Sequence, residues 1–485
     1  MPVAAPPPAF KSFRDPAGGV ELQPDAAYRS IRAPEDEEIL AFLSTPIASD
    51  LVRQGRLIDS TIVPDTAWPA HLRDLEAQPS LVLKHPRVPF VSYPWEWSPT
   101  LWLAAAETTL DLNRDLVKSG WILKDATPLN VLFRGCEPVF VDVLSVARLD
   151  PTQPIWFAYA QFIRMFLLPM LAWQRLRWPL ASTIARRDGY EPEDIYPALP
   201  LSARLSQPAL SSVTVPHLLA RRQSASKAQP GTQAIAAARS RTTSDPELTR
   251  HILLGTFNKL LKRMRSVTPA AASSNWSNYA QTATHYIDED HARKQAFVSK
   301  VLGLARPRHL LDVGSNTGTY SQLAAEAGAA VVSIDTDLQS VDHLAARVRS
   351  AAEGSRPNIL PLRVDLANPT PGVGWQNSEN SSFLDRAAGH FDTVLMLAVI
   401  HHLLLHNQVP LDRIAALTAS LTTRHLILEW VPPTDPKFRE LLRGRDALYA
   451  HLTEQAFRTA FAPHFTIESE LALANHRILF HFMRK

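Results

Sequence analysis

The sequence has little cysteine, little net charge and no long uninterrupted apolar run. Cys136 is the single cysteine among 485 residues, which excludes an intrachain disulfide framework and is typical of a reducing compartment. The net charge of +3 gives no reason to expect nucleic-acid binding. The most apolar stretch, Trp156 to Trp173, contains Gln161, Arg164 and Pro169, and therefore favours a buried helix over a membrane span. The N-terminus lacks a basic region followed by an apolar core, so we expect a cytoplasmic protein.

An apolar fraction of 46% and a length of 485 residues are typical of a globular chain with two or three domains. Changes in composition along the chain predict four regions. They are a Pro- and Ala-rich disordered N-terminus (1–18), a first domain (19–200), a basic Ser/Ala/Pro-rich linker with one helix (201–272) and a second domain (273–485).

The stretch Arg308 to Asp335 has the pattern of a strand, a glycine-bearing turn, a helix and a second strand. The parts are the apolar run His309 to Val313, the turn Gly314 to Gly318, the helical pattern Tyr320 to Ala327 and the β-rich run Ala330 to Ile334. Asp335 closes the unit about twenty residues after the turn, where a nucleotide ribose would be bound. Glycines in such a turn let backbone N–H groups approach a ligand closely.

The turn Asp312-x-Gly314-x-Asn316-x-Gly318 resembles motif I of the class I S-adenosylmethionine-dependent methyltransferases, over roughly residues 298–485. The resemblance implies an α/β fold with a Rossmann-like sheet of seven strands, six parallel and the last antiparallel. It also implies S-adenosylmethionine as the cofactor, and no metal. The residues implied for cofactor binding are Asp312, Gly314, Ser315, Asn316, Thr317, Gly318, Asp335, Thr336, Asp365 and Leu366.

Polar side chains follow five successive predicted strands of this domain. They are Asp312, Asp335, Asp365, the pair His401–His402, which follows the apolar run Phe391 to Val399, and Glu429. Because ligands bind beyond the carboxyl ends of the strands in open α/β sheets, we expect these groups to meet in one crevice.

The candidate catalytic residues are His401, His402 and Glu429. Either histidine could take a proton from the methyl acceptor, and Glu429 could orient the imidazole. The alternatives are core packing for the histidines and capping of the helix after Pro433 for Glu429.

Three features are candidates for shaping the acceptor pocket. Trp276, Tyr279 and Tyr286 precede a helix that begins near Asp288, and they form either a lid or plain core packing. The insertion Pro433 to Phe457 is of the kind that sets acceptor specificity. Trp375 is a further candidate for the pocket wall.

The first domain contains a spaced set of polar residues within Trp121 to Val143. Asp125 and Asn130 are five residues apart, and Asp142 follows twelve residues later at the end of a β-run. This spacing resembles the catalytic loop and the metal-binding aspartate of protein-kinase-like and aminoglycoside-phosphotransferase folds, over residues 19–200. The resemblance implies an α+β domain with Asp125 as a base and with Asn130 and Asp142 as Mg²⁺ ligands.

The first domain also departs from the kinase pattern. No glycine-rich phosphate loop precedes Lys84, and Val143 follows Asp142 where a phenylalanine is expected. Arg29 or Arg32 could stand in for the missing lysine. These departures favour a degenerate domain that binds without transferring phosphate.

The whole layout, with YPWEWSP, LKDATPLN, IHHLLL and LEWVPP, resembles nodulation-associated, methyltransferase-like bacterial proteins. We expect methyl transfer from S-adenosylmethionine to an oxygen or nitrogen atom of a small-molecule or glycan-like acceptor. The kinase-like domain is expected to bind substrate or to regulate. The alternatives are a bifunctional enzyme with ATP-dependent phosphotransfer and a non-catalytic scaffold. No nucleic-acid partner and no membrane span are expected, and the oligomeric state stays open.

Overall fold

The computed structural model describes residues 11–12, 14–69, 79–225, 242–268, 288–352 and 354–485. The chain divides into two compact units, the second of which covers 271–485. Within the described residues, no helix is both long and apolar enough to cross a membrane. The predicted lid residues Trp276, Tyr279 and Tyr286 lie outside the described part of the chain.

The first unit begins with an antiparallel sheet of five strands in the order β1-β2-β3-β5-β4. The strands are β1 (Lys11–Ser12), β2 (Gly18–Leu22), β3 (Ala26–Ile31), β4 (Thr61–Ile62) and β5 (Leu81–Pro86). A turn closed by a hydrogen bond from the N–H of Gln23 to the carbonyl of Ala26 (2.8 Å) joins β2 and β3 in a hairpin. The apolar segment Val88 to Tyr93 is not a strand, since Pro89 has no N–H for a ladder.

Helices and two short strand pairs complete the first unit. The helices are α1 (Glu35–Leu43), α2 (Pro46–Arg53), α3 (Pro99–Lys118), α4 (Tyr159–Phe162), α5 (Leu168–Leu176), α6 (Pro192–Ile195), α7 (Leu201–Arg204), α8 (Val215–Ala225) and α9 (Pro246–Val267). The remaining strands are β6 (Trp121–Leu123), β7 (Val131–Arg134), β8 (Glu137–Phe140) and β9 (Val146–Arg148), with β6 beside β9 and β7 beside β8. A π-helical turn, Ile163–Leu167, joins α4 to α5 within the apolar stretch. Helix α9 buries Leu253, Phe257 and Leu260 and packs on α3.

The second unit is built on one sheet of seven strands in the order β12-β11-β10-β13-β14-β16-β15. The strands are β10 (His309–Val313), β11 (Ala330–Asp335), β12 (Ile359–Arg363), β13 (Phe391–Met396), β14 (Thr422–Trp430), β15 (Phe465–Ala472) and β16 (Ile478–Arg484). Five neighbouring strands, β12, β11, β10, β13 and β14, are mutually parallel. Strand β16 is antiparallel to both of its neighbours, β14 and β15. Six strands therefore share one direction and the last is reversed, which confirms the predicted Rossmann-like sheet.

Helices flank this sheet, and parallel strands are covered on both faces. They are α10 (Asp288–Ala305), α11 (Thr319–Glu326), α12 (Leu338–Ser350), α13 (Phe383–Ala387), α14 (Ile400–Leu405), α15 (Leu411–Leu421), α16 (Pro436–Leu442), α17 (Asp446–Tyr449) and α18 (Glu454–Phe461). The successive residues Val394, Leu395 and Met396 of β13 are all fully buried. The predicted strand Phe391 to Val399 was too long, because the chain turns at Ala398, whose φ is 55°.

Candidate active site

The predicted site residues of the second unit follow strands that end at one edge of the sheet. Asp335 is the last residue of β11, and Asp365 follows β12 by two positions. Helix α14, which carries His401 and His402, begins shortly after β13 ends, and Glu429 is the penultimate residue of β14. Because these strands are parallel, their carboxyl ends meet at the edge where α/β proteins bind ligands.

Two glycines make the turn between β10 and α11 possible. Gly314 has a φ of 69°, and a Cβ atom there would lie 2.4 Å from Cγ2 of Val399. Gly318 has a φ of 80°, and its Cβ would lie 2.6 Å from Cδ1 of Leu344. A side chain at either position would clash with a neighbouring segment, so the sequence needs glycine at both.

Asp335 anchors this turn through the backbone and keeps free acceptor capacity. Its Oδ2 accepts from the N–H of Asn316 and its Oδ1 from the N–H of Asp337, each at 2.9 Å. Burial raises the pKa of Asp335, and the backbone hydrogen bonds oppose that shift. A carboxylate has about four lone-pair sites, so Asp335 can still accept from a ligand's hydroxyl groups. Asp337, by contrast, caps α12 by accepting from the N–H groups of Gln339 and Ser340.

The next acid along this edge, Asp365, is half-buried after β12. Its Oδ1 accepts from the N–H of Ala367 (2.9 Å), which fixes a short turn. Leu366 is buried beside it, and Thr336 after β11 is exposed. The edge thus presents a carboxylate and an apolar side chain next to each other.

Asp312 lies beneath the turn, with only 2% of its surface exposed. Its Oδ2 accepts from Oγ of Ser321 (2.6 Å), which also contacts Oγ of Ser333 (2.7 Å). Burial raises the pKa of Asp312 to about 7, and the nearby charge of Asp335 acts in the same direction. Through Ser321 the side chain of Asp312 links β10 to α11 and β11. Its predicted contact with the cofactor remains a prediction.

The turn also contains buried polar atoms that need a partner. Oγ of Ser315 and Oδ1 of Asn316 are buried, and neither has a hydrogen-bond partner among the described residues. Thr317 is half-buried in the same turn. Buried polar groups without partners are costly, so this turn fits a ligand with both donors and acceptors. The amine and carboxylate of S-adenosylmethionine supply both.

The two histidines lie together at the start of α14. Their ring centroids are 4.3 Å apart, and His401 is 3% exposed while His402 is half-buried. Burial lowers the pKa of His401 to about 3, helped by His402 and by the charge of Arg477. Burial also lowers the pKa of His402. His401 is therefore neutral at ordinary pH, and its Nδ1 has no partner within the described part of the chain.

Glu429 lies in a buried ionic network instead of capping a helix. It pairs with Nζ of Lys294 and, at 3.2 Å, with Nη1 of Arg477. Arg477 also pairs through Nε with Asp435 (2.8 Å), and Asp435 caps α16. Although burial alone would raise the pKa of Asp435, Arg477 holds it below the usual value. The network joins the end of β14 to α10, to the residue that precedes β16 and to the predicted insertion.

Sequence reasoning missed Lys294 and Arg477, because both lie outside any motif. The sequence did contain a signal for Lys294. Asp290, Lys294 and Val298 are four residues apart, a spacing that places all three on the buried face of α10. A charge within such an apolar stripe needs a partner. Its Nζ also lies 5.2 Å from the centroid of Tyr320, next to the glycine turn.

The two remaining candidates for the acceptor pocket, Trp375 and the insertion Pro433 to Phe457, differ in their contacts with the rest of the unit. Trp375 is 60% exposed on a short turn after β12. In the insertion, Arg445 donates to the carbonyl of Leu405 at the end of α14 (3.0 Å). The insertion is thereby attached to the helix that carries the histidines.

The kinase-like candidates of the first unit are also close together. Nδ2 of Asn130 donates to Oδ2 of Asp142 (3.2 Å). Asp125 is half-buried, and burial together with the charge of Asp142 raises its pKa. No group of three or more metal-binding side chains occurs among the described residues.

Comparisons with known proteins agree with this geometry. A family model described as a methyltransferase domain matches residues 284–470. Nodulation protein NoeA of Rhizobium meliloti (strain 1021) is 30% identical over 487 residues, covering 98% of this chain and 95% of NoeA.

Several solved methyltransferase structures are also similar to part of the chain. The N-methyltransferase NodS from Bradyrhizobium japonicum WM9 is 12% identical and covers 40% of this chain and 97% of its own, with a TM-score of 0.28. The bifunctional kinase-methyltransferase WbdD is 17% identical and covers 41% of this chain and 39% of its own, with a TM-score of 0.29. Similarity at this level carries no functional argument. The relative that spans nearly the whole chain and the matching methyltransferase model show that this protein belongs to the same family as NoeA and is an S-adenosylmethionine-dependent methyltransferase.

Proposed function

We propose that the protein transfers a methyl group from S-adenosylmethionine to an oxygen or nitrogen atom of a small-molecule or glycan-like acceptor. The observation that carries the proposal is the buried, neutral imidazole of His401 at the sheet edge shared with Asp335 and the glycine turn. When bound, the cofactor supplies an electrophilic methyl group on a sulfonium. The protein needs to align the acceptor and exclude water.

The proposed cofactor contacts divide between the turn and two strand ends. Residues 314–318 hold the methionine part, where the unpartnered atoms of Ser315 and Asn316 require hydrogen bonds. Asp335 accepts from the ribose hydroxyls, and Asp365 with Leu366 borders the adenine. Asp312 supports the turn from below through Ser321.

The acceptor side of the site is assigned to α14 and the insertion. His401 or His402 accepts a proton from the acceptor. The neutral imidazole of His401, whose Nδ1 has no partner within the described part of the chain, has the form that this step needs. Glu429 acts on the histidines indirectly, since it forms ion pairs with Lys294 and Arg477. Arg445 fixes the insertion against α14, so the insertion forms part of the acceptor wall.

We further propose that residues 19–200 form a degenerate kinase-like domain that binds substrate or regulates, joined to the methyltransferase domain (273–485) through 201–272. The single cysteine, Cys136, supports a cytoplasmic location. No nucleic-acid partner is proposed, because the net charge is only +3.

The test is methylation of small molecules in a cell extract by the full-length protein and labelled S-adenosylmethionine, followed by identification of the labelled product. His401→Ala and His402→Ala each remove one imidazole. Loss of a general base lowers the rate by about 10²–10⁴-fold, and cofactor affinity, measured by calorimetry, should stay within a few-fold of the wild type.

His406→Ala is the matched control, because His406 is exposed and lies one turn further along the same segment. It should leave labelling unchanged. Labelling of macromolecules only would contradict the proposed acceptor class, and full activity in both His401→Ala and His402→Ala would contradict the proposed base.

A further inference from the structure

In the first unit, Asp142 is the residue that a kinase-like fold would assign to a divalent cation, and an arginine holds it. Nη1 of Arg29 lies 2.8 Å from Oδ1 of Asp142. Nη2 of the same guanidinium donates to the carbonyl of Val141 (3.3 Å). The two charged side chains are 10% and 18% exposed, so water screens this ion pair little.

The second oxygen of Asp142 is occupied as well. Oδ2 accepts from Nδ2 of Asn130 (3.2 Å) and from Oγ of Ser145. Nδ2 of Asn130 also donates to Oγ of Ser145 (3.0 Å). An ionised carboxylate only accepts hydrogen bonds, so the amide nitrogen of Asn130 must face it, and an amide nitrogen is not a Mg²⁺ ligand.

The strand geometry explains why Arg29 faces the carboxylate and its neighbours do not. Arg29 on β3 pairs with Leu83 on β5, so both side chains lie on the face turned towards the core. Lys84, one residue further, lies on the opposite face and pairs with Asp25 (3.1 Å). Arg32 donates to the carbonyl of Pro16 (2.9 Å).

His85 lies on the same face as Arg29 and stays neutral. Its Nδ1 is 3.0 Å from the carbonyl of Asp59 and 3.2 Å from Oγ of Ser60. Burial and the charge of Arg29 lower the pKa of His85 to about 4. The positive charge beside Asp142 is therefore that of Arg29.

We propose that Arg29 is a tethered cation that takes the place of a divalent metal at Asp142. The first unit then binds no Mg²⁺ at these residues and performs no metal-dependent phosphoryl transfer. Mg²⁺ requires oxygen ligands at about 2.0–2.1 Å in near-octahedral geometry. To bind Asp142 it would have to displace Arg29 and leave a buried guanidinium without its partner, which is strongly unfavourable. This assignment is independent of the methyl acceptor and of the proposed methyl-transfer residues.

The test uses Mn²⁺ as the probe for a divalent site, with the full-length protein and electron paramagnetic resonance of the free ion. Wild type and Arg29→Lys both keep a cation beside the carboxylate. Adding Asp142→Asn to either protein should therefore leave its Mn²⁺ binding unchanged. Arg29→Ala should gain a Mn²⁺ site, and the double variant Arg29→Ala/Asp142→Asn should lose it. Arg32→Ala is the matched control and should behave like the wild type.

Two results would overturn the proposal. One is Mn²⁺ binding by the wild type that disappears in Asp142→Asn. The other is a folded Arg29→Ala protein that gains no Mn²⁺ site. If Arg29→Ala does not fold, Arg29→Gln replaces it, and the comparison of wild type with Asp142→Asn still decides the first point.

Discussion

Each unit places a carboxylate at the end of a β-strand or just after it, but the partners of the two carboxylates differ. In the second unit, Asp335 accepts from two backbone N–H groups, and no lysine or arginine of the described residues pairs with it. In the first unit, Asp142 pairs with the buried guanidinium of Arg29. Backbone donors orient a carboxylate and leave lone pairs for a ligand, whereas a buried guanidinium neutralises it. The carboxylate of Asp335 can therefore still accept from a ligand, whereas that of Asp142 is held in a buried ion pair.

The largest expected effect is in the buried network of the second unit. Glu429→Gln removes the negative charge that faces Lys294 and Arg477, so the buried network keeps both cations but loses one of its carboxylates. The free energy of unfolding should fall by about 3–5 kcal/mol, measured by urea denaturation. Glu440→Gln is the control, because Glu440 pairs with Lys437 at the surface, and exposed pairs contribute about 0–1 kcal/mol. Equal losses in the two variants would contradict the role of burial.

Substitution of Asp335 and Asp142 tests the comparison directly. Asp335→Ala removes the proposed acceptor of two ribose hydroxyls, each worth about 1.5–3 kcal/mol, so the affinity for S-adenosylmethionine should fall about 100-fold or more. Asp142→Ala should leave this affinity within about two-fold and lower the stability of the first unit instead. Calorimetry and thermal unfolding measure the two effects. A similar loss of cofactor affinity in both variants would remove the distinction between the two acids.

The pH dependence of stability provides the next test, at Asp312. Its folded-state pKa of about 7 lies above the ordinary value of 3.8, so between these values the folded protein holds a proton that the unfolded chain has lost. Stability from this group therefore falls as pH rises through that window. Asp312→Asn does not titrate, so it should gain roughly 2–3 kcal/mol relative to wild type between about pH 5 and 8. The measurement is the free energy of unfolding in urea at several pH values. If it depends on pH in the same way for both proteins, Asp312 titrates normally.

The smallest expected effect separates backbone strain from a steric clash. Gly314→Ala and Gly328→Ala both place a side chain at positive φ, at 69° and 95°. Only the first meets an obstacle, since nothing lies within 4 Å of a Cβ at Gly328. Strain costs about 1–2 kcal/mol at each site, and the contact with Val399 should cost Gly314→Ala about 1–3 kcal/mol more. Thermal melts of both variants measure the difference, and equal shifts would exclude the clash.

Much of the second unit followed from local patterns. The apolar runs and the glycine turn predicted the sheet, and the polar residues near the strand ends predicted which edge carries the candidate site residues. The end of β13 did not follow, because Val399 continues the apolar pattern but packs over Gly314 after the turn at Ala398. Apolar periodicity reports burial and does not distinguish a strand from a buried turn.

The first unit was harder to predict, since its decisive contacts join residues far apart in sequence. The spacing of Asp125, Asn130 and Asp142 singled out these residues, but it gave no sign that Asp142 pairs with Arg29, more than 100 positions earlier. The sequence offered Arg29 and Arg32 as equal candidates. Strand alternation alone could not choose between them until the pairing of β3 with β5 was known.

The sequence by itself determined the Rossmann-like sheet, the glycine turn and the acid that ends β11, because strand periodicity and positive-φ glycines are encoded within short windows. The tertiary structure decided which charges meet. Lys294 joins Glu429, Arg477 joins Asp435, and Arg29 joins Asp142 only through strand pairing and helix packing. Coulomb interactions and desolvation depend on distance in space, and no local pattern contains that distance.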